Sequence, residues 1–194
     1  MESIKKYTRL VKDRLSEERF THSVKSAEMS RELGVAHGFD SEKAYIAGIL
    51  HDICKEDSEK ELKRLAFSKT LEKMGLGLEP LEKEDHKLWH APAATVYIKE
   101  VLGINDTDIL SAVRYHTVGR ARMTKLEKII YLGDLVEHSR EYPDVDKYRD
   151  FALSDLDLGM YEALKWAIND CLQRKKRISR NTFEAYNHYL KKFL

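Results

Sequence analysis

Proline, cysteine, net charge and long apolar runs are all scarce in this chain, and each shortage excludes something. Three prolines in 194 residues, Pro80, Pro92 and Pro143, leave most of the chain free to be helical. Two cysteines, Cys54 and Cys171, form no CxxC metal spacing, and each reads as a free buried thiol. No apolar run approaches the roughly 20 residues of a membrane span. The segment Met1-Glu-Ser-Ile-Lys-Lys-Tyr7 lacks the apolar centre of a signal peptide, so the expected compartment is the cytoplasm. With 34 basic and 33 acidic residues the net charge is +1, which gives no global pull toward nucleic acid or membrane. Neither GxxxxGK(S/T) nor GxGxxG occurs, so no P-loop or dinucleotide fingerprint is present.

What is present is a balance of 42% hydrophobic and 35% charged residues, long enough for one domain with a real core. The patterning is helical nearly throughout, and the expectation is a single all-α domain, a compact helical bundle over residues 1–194. Helices are expected over about 4–15, from a Thr21 cap to Gly34, behind Ser41, over 58–74, from Pro92 to Leu102, and from Asp106 or Asp108 to His116. Thr124-Lys-Leu-Glu127 is a capping box before an apolar run. Two further helices are expected over 155–173 and 181–193, joined by the basic stretch Arg174-Lys-Lys-Arg177. That stretch reads as the favourable end of a helix dipole rather than a nucleic-acid patch.

Against this background two carboxylates stand in the wrong neighbourhood. His51-Asp52 lies in the apolar segment Ala44-Tyr-Ile-Ala-Gly-Ile-Leu-His-Asp-Ile-Cys54, expected to be helix. Asp134 interrupts Ile129-Ile-Tyr-Leu-Gly-Asp-Leu-Val136, in the middle of its expected helix. A buried carboxylate needs a partner or a metal. Of the eight histidines, His22, His51, His90, His116 and, more weakly, His138 are candidates for the same site. Imidazole and carboxylate without thiolate suit Fe, Mn, Co, Ni or Zn in a site with an open position. Singly, each residue also has an ordinary reading: a helix-end histidine caps or faces water, and Asp134 pairs with Arg140 or a lysine.

The ordered set His22, His51-Asp52 and Asp134 resembles the HD-domain metal-dependent phosphohydrolase superfamily. The segments Arg19-Phe-Thr-His-Ser23, Ile49-Leu-His-Asp-Ile-Cys-Lys55, Leu88-Trp-His-Ala-Pro92, Arg114-Tyr-His-Thr-Val-Gly-Arg120 and Asn181-Thr-Phe-Glu-Ala-Tyr-Asn187 are similar to its YqeK-type branch. The resemblance implies symmetrical hydrolysis of diadenosine tetraphosphate to two ADP in bacteria, with iron as the favoured metal. It implies that His22, His51, Asp52 and Asp134 hold the metal. It implies that Arg19, Lys55, His90, His116, Thr117 and Arg140 face the nucleotide phosphates. Ile178, Asn181 and Thr182 would line the nucleoside side, so that a metal core over about 19–140 is completed by helices over 155–193. Four positions at three places depart from the branch: Gly133 for Ala, His138 for Pro, and Arg180-Asn181 for Pro-Asp.

A polyphosphate is densely anionic, so a nearly neutral protein needs local cations, here Arg19, Lys55 and Arg140 with the metal. A metal lowers the pKa of bound water and polarises a phosphoryl oxygen. The expected reaction is attack of such water on an internal phosphorus, in line with departing ADP, with Asp52 as ligand and orienting group. His90 and His116 have open roles: phosphate contact, general acid or ligands of a second metal, so one or two ions are expected. Two alternatives stand beside this reading, another HD-type nucleotide phosphohydrolase or phosphodiesterase and a non-catalytic metal-stabilised nucleotide-binding module. The expected partner is a small nucleotide, with no membrane or nucleic acid and a possible homodimer.

Overall fold

The computed structural model describes residues 2–194, and no strand occurs among them. The order is α1 (Glu2–Arg14), α2 (Glu17–Ala36), α3 (Ser41–Leu50), α4 (Glu59–Ala66), α5 (Lys69–Lys73), α6 (Pro80–Glu84), a 3-10 turn (His86–Leu88), α7 (His90–Glu100), α8 (Thr107–Tyr115), α9 (Lys125–Val136), α10 (Val145–Ser154), α11 (Leu156–Gln173) and α12 (Arg180–Leu190). The all-α expectation holds.

Caps explain most of the boundaries. Ser16, not Thr21, caps α2: its side chain accepts from the Arg19 amide, and Glu17 and Glu18 follow in the acid-favouring first turn. Asp40 rather than Ser41 caps α3. The single helix expected over 58–74 is broken at Phe67–Ser68, because Ser68 caps a second short helix. The next expected helix starts earlier than Pro92, at His90, with Pro92 inside its first turn, where a missing N–H costs nothing. The Thr124–Glu127 capping box forms as expected. Helix α10 and the short α6 have no counterpart in the sequence reading. Cys54 is buried as expected, whereas Cys171 is only half-buried.

Helix α2 packs on both α3 and α9. Glycines permit the close approach: a Cβ on Gly48 would stand 2.8 Å from the Ala27 Cα, and one on Gly133 would collide with the Ser30 hydroxyl. Two apolar cores result. One gathers Met29, Leu33, Ile130, Leu132 and Leu164. The other gathers Val11, Ile49, Leu50, Ile53, Val96 and Ile98. Each fully buried aliphatic side chain contributes about 1.5–3 kcal/mol. Helix α3 supplies both cores, Ala44 and Ala47 to the first and Ile49 and Leu50 to the second, so its C-terminal end emerges where they meet.

Candidate metal centre

That end carries His51-Asp52. The pair is not within the helix: α3 stops at Leu50, and residues 51–57 form a chain of turns. Arg14 clamps these turns from outside. Its Nε donates to the Ile53 carbonyl at 2.9 Å, and Nη2 to both Asp57 oxygens at 2.7 and 2.6 Å. Ser16 adds its amide and hydroxyl to the Glu56 carboxylate, each at 2.7 Å. The turn is therefore held rigid although it is irregular. Asp134 likewise lies in the last turn of α9 rather than mid-helix.

Four histidines converge on Asp52, which is 3% exposed. Its Oδ2 lies 3.9 Å from His22 Nε2 and 3.7 Å from His51 Nε2. Its Oδ1 lies 3.5 Å from the Nε2 atoms of both His90 and His116. Asp134 Oδ1 is 3.0 Å from His22 Nε2 and 3.6 Å from His51 Nε2. The opposite ring nitrogens are all engaged. The Nδ1 atoms of His51, His116 and His90 lie 2.7, 2.7 and 3.0 Å from the carbonyls of Gly48, Val113 and Lys87, each three residues earlier. A carbonyl only accepts, so each Nδ1 donates its proton there, and each Nε2 is turned into the centre. His22 Nδ1 faces Glu137 Oε1 at 3.3 Å.

His22 Nε2, His51 Nε2 and Asp52 Oδ1 are buried without a hydrogen-bond partner. Orphaned polar atoms in a core are costly, and three within one histidine–carboxylate cluster fit a bound cation. His22, His51 and Asp134 can hold one, as can His51, Asp52 and His116. The donors are imidazole nitrogen and carboxylate oxygen only, a transition-metal set. Burial would raise the pKa of Asp52, yet His51, His116, His90 and Lys55 pull it well below the ordinary carboxylate range. Asp134 is lowered likewise, with burial outweighed by His22 and His51. Both carboxylates are therefore anionic. Burial pushes His90 down to about 3, against the pull of Asp52, so its ring is neutral.

Cations ring the centre. Arg19 Nη1 is 3.1 Å from Asp52 Oδ2, Lys55 Nζ is 3.0 Å from His90 Nε2, and Arg140 Nη2 is 3.0 Å from Asp134 Oδ1. The ordinary reading of Asp134, paired with Arg140, is what the structure shows. A cavity of about 380 Å³ opens on His22 between Arg19, Ser139 and Arg140.

The HD domain family model matches residues 19–138. This chain belongs to that family. The symmetrical bis(5'-nucleosyl)-tetraphosphatase of Bacillus subtilis is 37% identical over 91% of this HD chain and 92% of its own. The protein of the same description from Halalkalibacterium halodurans is 35% identical over 95% and 96%. A crystal structure from Clostridium acetobutylicum, described as that of a "predicted HD superfamily hydrolase involved in NAD metabolism", superposes with a TM-score of 0.87. It is 31% identical and covers 97% of both chains.

Around the HD centre the structure sorts the remaining candidates. Thr117 follows His116, and its hydroxyl is buried without a partner. Thr182 instead donates to the Val118 carbonyl at 2.8 Å, which ties α12 to the loop behind His116. The Asn181 amide donates to Glu79 Oε2 at 3.4 Å. Ile178 lines a separate cavity with Glu79, Glu84 and Arg177. His138 is not brought in, being exposed and paired with Glu32 at 3.0 Å. Glu137, which the sequence reading passed over, is buried against His22. Its polar sequel His138-Ser-Arg140 hid it, and only its position three residues beyond Asp134 hinted at a shared face.

Proposed function

We propose that this HD domain hydrolyses dinucleoside polyphosphates, diadenosine tetraphosphate above all, symmetrically to two ADP in a metal-dependent reaction. The observation that carries the reading is Asp52, an anionic carboxylate with a histidine pair facing each oxygen and Arg19 and Lys55 beside it. Extensive identity to symmetrical tetraphosphatases supports the substrate class.

His22, His51, Asp52 and Asp134 would hold one metal. His90 and His116, whose Nε2 atoms face Asp52 Oδ1, would hold a second together with that carboxylate. This assignment favours ligand roles over a general-acid role for His90, whose buried ring is neutral near pH 7 with its single proton on Nδ1 toward the Lys87 carbonyl. Iron is the proposed metal, and manganese, cobalt, nickel and zinc accept the same donors. When bound, the metal supplies an activated water and a Lewis acid for the phosphoryl oxygens.

The protein's own residues do the rest. Arg19 and Arg140 flank the cavity at His22 and would bind phosphate oxygens on that side. Lys55 would serve the His90 side as a point charge. The unpartnered Thr117 hydroxyl would donate to a phosphate oxygen, and Asp134 would border the bound nucleotide beside Arg140. Ile178, Asn181 and Thr182 would shape the wall toward one nucleoside, with Thr182 acting through its bond to Val118. Residues 155–193 complete the site as part of one domain in this reading, and the cytoplasm, where adenine nucleotides turn over, is its setting. Product analysis on diadenosine tetraphosphate tests the assignment. ADP as sole product is expected, whereas AMP plus ATP, or no turnover by metal-loaded protein, rejects it.

A further inference from the structure

One helix end places a carboxylate near each ring nitrogen of His22. Asp134 Oδ1 stands 3.0 Å from Nε2 and Glu137 Oε1 stands 3.3 Å from Nδ1. The two acids are three residues apart at the end of α9, with Glu137 as its C-cap residue, so one turn presents both to the same ring. Glu137 is 1% exposed, which is unusual for a glutamate. It is also fixed: the Ser139 amide donates at 2.5 Å, the Ser139 hydroxyl at 2.7 and 2.8 Å, and Arg140 Nε lies at 3.5 Å. Arg149 holds the Glu137 carbonyl at 3.3 Å.

The other three histidines of the centre spend Nδ1 on a backbone carbonyl of their own turn. His22 has a carboxylate there instead. A carboxylate partner makes an imidazole a stronger donor than a carbonyl does, and it fixes which nitrogen carries the proton.

We propose that Glu137 is a positioning residue for His22: it holds the Nδ1 proton, leaves Nε2 free toward Asp52 and Asp134, and so sets the metal affinity of the His22–His51–Asp134 half of the centre. The proposal rests on the metal reading above and goes beyond it in naming a residue outside the ligand set. Its structural rival is a capping role through Ser139 alone.

Titration of metal-stripped protein with Co²⁺, followed by visible absorption, separates the two. Glu137→Ala is expected to weaken Co²⁺ binding by about 10–100-fold. Glu137→Gln, which keeps an acceptor and loses the charge, is expected to fall between Ala and wild type. Ser139→Ala removes the cap contact without touching His22, and it should bind Co²⁺ with near wild-type affinity even where its thermal midpoint drops. Wild-type affinity in both Glu137 variants overturns the proposal, as does a Ser139→Ala loss as large as that of Glu137→Ala. If Glu137→Ala does not fold, Glu137→Gln decides alone: a loss of about three-fold or more supports the proposal and none overturns it. Wild-type protein that takes up no Co²⁺ sinks the metal reading itself, a result distinct from unchanged variants.

Discussion

Arg114 and Glu82, 32 residues apart, form a two-pronged ion pair with no exposed side-chain surface on either partner. The contacts are 2.7 Å from Nη1 to Oε1 and 2.6 Å from Nη2 to Oε2. The Leu76 and Gly77 carbonyls take the other guanidinium donors at 2.8 and 2.9 Å. The Glu82 carbonyl accepts the Trp89 indole N–H at 2.6 Å, next to His90. Segment 76–89 has only short helices, and this pair fastens it to α8.

Removing one partner strands a buried charge. Glu82→Ala should therefore lose about 3–5 kcal/mol of stability in urea unfolding, whereas the double variant Arg114→Met/Glu82→Leu should regain most of it. A Glu82→Ala protein within about 1 kcal/mol of wild type, below that expected penalty, would contradict the account.

Gly133 stands beside Asp134, and a Cβ there would meet the Ser30 hydroxyl. Gly133→Ala should destabilise the protein by about 1–3 kcal/mol through overpacking. Adding Ser30→Ala removes the colliding oxygen and should restore part of the loss. Non-additivity in the double-mutant cycle checks the contact, and strictly additive effects would refute it.

Asp52 shares its two oxygens between two histidine pairs. Metal analysis of wild-type protein should find two ions per chain, His90→Ala/His116→Ala one, and Asp52→Ala none. Turnover by Asp52→Ala should fall by about 100-fold or more, since the metal supplies most of the charge stabilisation. Full turnover by metal-free Asp52→Ala would end the metal mechanism, and one ion in wild type would remove the second position.

Asp157 joins α11 to α9 through Lys128 Nζ at 2.7 Å and to the chain end through Lys192. Burial raises its pKa, but the two lysine hydrogen bonds outweigh it, and the net shift is downward. A lowered folded-state pKa means stability that is present above the unfolded value of about 3.9 and is lost as pH falls through the folded value. In metal-stripped protein, the thermal midpoint of Asp157→Asn should lie below wild type at pH 7. The gap should hold above the unfolded value and close as pH falls below it, through the lowered folded value. A gap independent of pH would show that charge is not the cause.

The four ligand candidates were legible because each broke a local rule: Asp52 and Asp134 interrupt apolar runs, and His22 and His51 complete an ordered set with them. Capping chemistry was legible too, as at Thr124–Glu127, and the Ser16-Glu17-Glu18 start of α2 was there to be read. The break at Phe67–Ser68 and the polar helix α10 were not, since apolar period alone joins the first and misses the second. Glu137, Arg114 and Glu82 look like solvated charges along the chain. Their burial depends on partners 115 and 32 residues away.

By itself, the sequence determined the helical class, the apolar faces and the candidate donor side chains, because those follow from local periodicity, caps and residue chemistry. Only the tertiary structure decided which oxygen of Asp52 faces which histidines, which ring nitrogens are spent on carbonyls, and that a glutamate beyond α9 reaches His22. Those are facts of distance between segments far apart in the chain. They are set by how closely α2 approaches α3 and α9 over Gly48 and Gly133.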